Sequence, residues 1–110
     1  MIKVTIHRAK SGVIQSFTMD GHADFAEHGE DIVCAGASAV SFGAVNALMK
    51  LTGVDPIIDM GEGGYLRCTI PKDIDADVQE RVQLLLEGMV VSLQTIEQDY
   101  GEHIKVTFKQ

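Results

Sequence analysis

Residues 32–49 contain no Asp, Glu, Lys or Arg, a run of eighteen positions without formal charge in a chain of 110. Apolar side chains recur along it at helical intervals of three and four. Val33, Ala37, Val40, Ala44, Leu48 and Leu51 form one stripe, and Phe42, Val45 and Met49 form another. A helix that is apolar all round is buried on most sides, so the rest of the chain has to supply its cover. A membrane span needs about 20 predominantly apolar residues, and Gly36, Ser38, Ser41, Gly43 and Asn46 make this segment a poor one. The small residues instead let a neighbouring element approach closely. Gly53 closes the helix, and Pro56 just beyond prevents its continuation.

The cover is legible as strands and one more helix. Ile2, Val4 and Ile6 alternate with Lys3, Thr5 and His7, the period of a half-buried strand. Lys10-Ser11-Gly12 reads as a turn and residues 13–19 as the returning strand. Residues 57–60, a Gly61-Glu62-Gly63-Gly64 turn and residues 65–70 read as a second hairpin, with Leu66, Cys68 and Ile70 on one face. Asp73 or Asp75 can cap a second helix, with Asp77 in its first turn favoured by the helix dipole. Its stripe is Val78, Val82, Leu85, Met89, Leu93, Ile96 and Tyr100, and Gly101 is suited to a left-handed stop. Ile104, Val106 and Phe108 alternate in a last strand. The order strand-strand-helix-strand-strand-helix-strand predicts an α+β fold: a two-layer domain spanning residues 1–110, a sheet with two packed helices.

Charge and cysteine usage exclude several function classes. The net charge is −7, and the nine Lys and Arg are scattered, which argues against direct nucleic-acid binding, because that needs a clustered basic face. Two cysteines, Cys34 and Cys68, are too few for a disulfide framework, so reduced thiols in the cytoplasm are expected. Residues 1–4 alternate like a strand and lack a signal peptide's apolar run. Neither membrane attachment nor export is expected.

Residues 20–31 hold five acidic residues, two histidines, two glycines and no Lys or Arg, a loop too polar to be core. Behind it, with Asp31 as N-cap, Cys34 falls at the third helical position, where backbone N–H groups lack intrahelical partners. Their field favours thiolate by about 0.3–1 kcal/mol at an exposed site. That is less than a factor of ten, so an imidazole has to take the thiol proton, and His22 is in place to do so. Gly21 and Ala23 beside it leave room for a substrate backbone. The blander alternatives are a small buried cysteine and a surface-loop histidine. Asp31 can cap the helix or orient His22, two demands on the same oxygens, and capping is favoured. Ser38, one turn after Cys34, can hydrogen-bond substrate or merely pack. His22, His28 and Cys34 with Asp24 or Asp31 offer zinc-ligand types, but no C-x-x-C or H-E-x-x-H spacing accompanies them, so no metal and no cofactor is expected. Cys68 is expected in the core. His7 and His103 are expected at the surface, and Glu80, Glu87 and Glu97 on a solvated helix face.

Residues 19–23, Met-Asp-Gly-His-Ala, and residues 29–38, Gly-Glu-Asp-Ile-Val-Cys-Ala-Gly-Ala-Ser, together closely resemble the signature of the Prp family of ribosomal-processing cysteine proteases. The likeness extends over essentially the whole chain, including a late helix around residues 89–97. It implies a cytoplasmic endopeptidase that removes a short N-terminal extension from a large-subunit ribosomal protein. It further implies a nucleophile at Cys34, a general base and acid at His22, a homodimer, and a mobile loop between the second strand and the first helix. Backbone N–H groups opening the helix, including that of Cys34, are ready donors for an oxyanion. The acidic loop suits the lysine-rich terminus that follows the family's cleavage point. Two other functions compete: a non-catalytic module that binds a ribosomal protein through the same loop, and a zinc-dependent hydrolase.

Overall fold

Period-two alternation sets the sheet's two faces. In β1 (Ile2–Arg8) the core face carries Ile2, Val4 and Ile6. Across the antiparallel ladder to β2 (Ile14–Asp20), Val4 meets Met19 and Ile6 meets Phe17. Across the parallel ladder to β5 (Ile104–Lys109), Ile2 meets Ile104 and Val4 meets Val106. β4 (Tyr65–Thr69) pairs with β2 and with β3 (Ile57–Gly61), both antiparallel, giving the sheet order β3-β4-β2-β1-β5. The structure, a computed structural model, describes residues 1–27 and 29–110. His28, one of the zinc candidates, lies outside the described residues.

Two helices, α1 (Ile32–Thr52) and α2 (Ala76–Tyr100), pack against this apolar face and each other in one core. Lys3, Thr5, Thr18, Arg67 and Lys105 lie on the opposite face. The α+β architecture and the element order agree with the sequence expectation. Gly53 ends α1 in the left-handed region at φ 73, its N–H donating to the Met49 carbonyl at 3.0 Å.

Four expectations need correction. First, α1 is not buried on most sides. Val33, Ala37, Ser41, Val45 and Leu48 face the core, while Phe42 and Met49 are 38% and 39% exposed and Leu51 is 68% exposed. A two-layer fold offers this helix one sheet face and one neighbouring helix, and among the described residues no further element covers its remaining side. By length and composition alone α1 could cross a membrane, but here its core stripe is packed against the sheet and α2.

Second, Gly101 is right-handed, at φ −61 and ψ −13. The chain turns on into β5, with the His103 N–H donating to the Tyr100 carbonyl at 2.8 Å. Closeness favours glycine there, because a Cβ would stand 3.0 Å from the Glu97 carbonyl oxygen. Third, Asp75 occupies the N-cap position of α2 without a side-chain capping bond. Fourth, Glu87 and Glu97 do more than face solvent. Arg8 donates twice to Glu87, each bond 2.8 Å, and the Val106 N–H donates to Glu97 Oε2 at 2.7 Å.

The register also positions the site. Met19 pairs with Leu66 and Gly61 with Tyr65. The β3–β4 turn therefore stands at the same end of the sheet as the exit of β2, where Gly21 and His22 follow Asp20.

Candidate active site

Asp31 is 8% exposed and accepts four backbone hydrogen bonds. Its Oδ1 takes the Val33 and Cys34 N–H groups, both at 3.0 Å, and so caps α1. Its Oδ2 takes the Phe25 N–H at 3.0 Å and the Ala26 N–H at 3.4 Å. One carboxylate thus fastens the helix terminus to the loop that approaches it. Burial alone would raise its pKa, but the four donors outweigh that and hold the carboxyl below its usual value. Among the described residues no hydrogen bond joins Asp31 to His22.

The donors that Asp31 occupies alter the expected chemistry. The Cys34 N–H, expected to be free for an oxyanion, is already bound to Asp31. A different backbone group addresses the sulfur: the Ala23 N–H donates to Cys34 Sγ at 3.2 Å. Ala23 itself is 1% exposed, so the acidic loop is not polar throughout and its first turn enters the core. Cys34 is half-buried. Cys68 is fully buried, as expected, and desolvation pushes its thiol up to about 11.

Gly21, His22, Asp31, Cys34 and Ser38 all line one cavity of about 560 Å³, together with Gly64 from the β3–β4 turn. Two glycines are required by close approach here. Gly21, at φ 92, presses against the Met1 carbonyl, which a Cβ would overlap. Gly64, at φ 78, lies so near the loop that a Cβ would stand 2.6 Å from the Gly21 oxygen and 3.5 Å from His22 Cε1. Sequence reading did not find Gly64. A run of turn glycines signals a hairpin, and its proximity to His22 depends on the strand order.

His103 was expected at the surface but is half-buried beside the loop. Its Nδ1 lies 2.9 Å from the Ala23 carbonyl oxygen. Phe25 sets its ring edge-on to both His103 and Tyr100, with centroids 5.2 and 5.4 Å away. Among the described residues, no three of His, Cys, Asp and Glu are grouped so as to hold a metal ion.

The sequence profile described as cysteine protease Prp matches residues 1–105. The ribosomal processing cysteine protease Prp of Bacillus subtilis is 53% identical over 108 residues, covering 97% of this chain and 96% of that protein. Its Staphylococcus aureus counterpart is 46% identical over 110 residues, covering 99% and 100%. Two crystal structures of the essential S. aureus ribosomal processing protease Prp superpose on this fold at 44% identity, covering 99% of this chain and 100% of theirs. The complex with a covalently linked product peptide gives a TM-score of 0.90, and the complex with a substrate peptide gives 0.84.

Proposed function

The chain belongs to the cysteine protease Prp family, and on that premise we propose that it removes the N-terminal extension of a large-subunit ribosomal protein, with Cys34 as nucleophile and His22 as general base and acid. The observation that carries this reading is the half-buried Cys34 sulfur, at a helix N-terminus, approached by a backbone N–H and sharing a cavity with His22. A relative solved with a covalently linked product peptide supports a route through a covalent intermediate.

The chemistry follows from those parts. His22 takes the proton of Cys34, and the sulfur attacks the scissile carbonyl carbon, whose C=O electron pair moves onto oxygen. The Ala23 N–H, already directed at the sulfur, is placed to donate to that new charge beside it. On collapse the C–N bond breaks, His22 returns the proton to the departing amine, and a thioester remains. Water then attacks the thioester, giving a proton to His22, and the thiolate leaves. Asp31 acts by holding helix and loop together rather than by orienting His22, while Gly21 and Ser38 border the peptide's path. The cavity's acidic loop suits a lysine-rich mature terminus.

Residues 1–110 form one protease domain in this reading. It works in the cytoplasm, where ribosomal proteins are made, and as a homodimer, which the uncovered apolar side of α1 supports. The test is incubation with the extended ribosomal protein, read by mass spectrometry. The parent trims it; Cys34→Ala and His22→Ala lose cleavage, and Cys34→Ala still binds the extension. Iodoacetamide abolishes activity by alkylating Cys34 and spares the buried Cys68. Trimming by Cys34→Ala would remove this assignment, whereas binding without any trimming by the parent would favour the non-catalytic module.

A further inference from the structure

The backbone of His103 is fixed on both sides: its N–H donates to Tyr100 and its carbonyl accepts from the Ile2 N–H at 2.9 Å. The imidazole therefore projects from the junction of α2, β1 and β5, a hydrogen-bonded anchor beside the loop. Its Nδ1 faces the Ala23 carbonyl oxygen at 2.9 Å. A carbonyl only accepts, so Nδ1 is the protonated nitrogen and the ring is the donor.

Ala23 is thus gripped at both ends, its carbonyl by His103 and its N–H on the Cys34 sulfur. Phe25, two residues on, leans edge-on against the same imidazole. We propose that His103 is a positioning residue for the reaction: it latches the Ala23 peptide to the sheet and so holds the Ala23 N–H where it meets the sulfur and, during attack, the oxyanion. The inference rests on the reading of Cys34 as nucleophile. The latch acts on charge that develops in the transition state, so its loss lowers kcat and leaves KM nearly unchanged.

Two variants separate the donor from the ring. His103→Phe keeps an aromatic ring against Phe25 and removes the N–H. His103→Asn places an amide nitrogen where Nδ1 stood and removes the ring. The expected kcat of His103→Phe on the extended ribosomal protein is lower by roughly 10- to 100-fold, between the loss of one hydrogen bond and the loss of an oxyanion donor. KM stays within about twofold, as for an interaction absent from the ground state. His103→Asn recovers to within about threefold of the parent, a margin smaller than one hydrogen bond is worth. Amide hydrogen exchange of Ala23 and Phe25 accelerates in His103→Phe and returns towards the parent in His103→Asn.

Parent-like kcat or parent-like exchange in His103→Phe overturns the latch, as does equal impairment of the two variants. A change confined to KM also overturns it. Failure of the underlying reading looks different: Cys34→Ala would still cleave, whatever the exchange data show.

Discussion

Asp31 divides its two oxygens between two structures, Oδ1 capping α1 and Oδ2 pinning Phe25 and Ala26. A carboxyl depressed in the folded state contributes stability that is fully present above its unfolded pKa of about 4 and is lost as pH falls through the lower folded value. Glu87, held down chiefly by its hydrogen bonds from Arg8, acts in the same direction over the same window. The urea midpoint is therefore expected to fall as pH drops from about 5 to about 2. In Asp31→Asn, which keeps a capping oxygen but cannot ionise, that fall is smaller, with the remainder attributable in part to Glu87. An Asp31→Asn profile as steep as the parent's would mean that the two-sided clasp does not depend on the carboxylate's charge.

At the scale of elements, the β3–β4 turn shows how a hairpin becomes part of a site. Gly63 and Gly64 both have positive φ, 75 and 78, yet a Cβ on Gly63 meets nothing within 4 Å, while one on Gly64 would collide with the Gly21 carbonyl, the residue before His22, and touch the His22 ring. Each substitution to Ala carries left-handed strain of about 1–2 kcal/mol. Gly63→Ala is thus expected to lower the urea-unfolding free energy by no more than that, because the stiffer unfolded chain offsets part of the strain. Gly64→Ala is expected to lower it further and to lose most of its peptidase rate. Equal rates in the two would separate the turn from the position of His22. This pair also marks where sequence stops being informative. Strands, helices and the Asp31 cap are written in local periods and spacings, and so are Cys34 and His22. The neighbours of His22 and Ala23 are not local: Gly64 arrives because β4 pairs with β2, and His103 because β5 runs parallel to β1. Nothing in residues 101–104 alone sets a histidine against the loop.

For the molecule as a whole, the exposed side of α1 has the widest consequence. An uncharged helix predicts cover on most sides, but a single two-layer unit leaves Ile32, Ala35, Ala39, Phe42, Asn46 and Met49 outward, at intervals of three and four along one face. Ile32 is 58% exposed, and Phe42 and Met49 are each more than a third exposed. Such a seam is suited to pairing with its own copy, because a two-fold contact sets the same face of both helices together. Self-association there would also bring the sequence rule and the structure into agreement, with the missing cover supplied by the second chain. Light scattering after size exclusion is expected to give twice the chain mass for the parent. Phe42→Asp is expected to give the mass of one chain, because a carboxylate cannot be buried in an apolar seam without a partner. Ile57→Asp, on the sheet face away from the helices, is expected to remain dimeric although Ile57 is 61% exposed. A dimer that survives Phe42→Asp and dissociates with Ile57→Asp would move the interface to the sheet and leave the apolar side of α1 open.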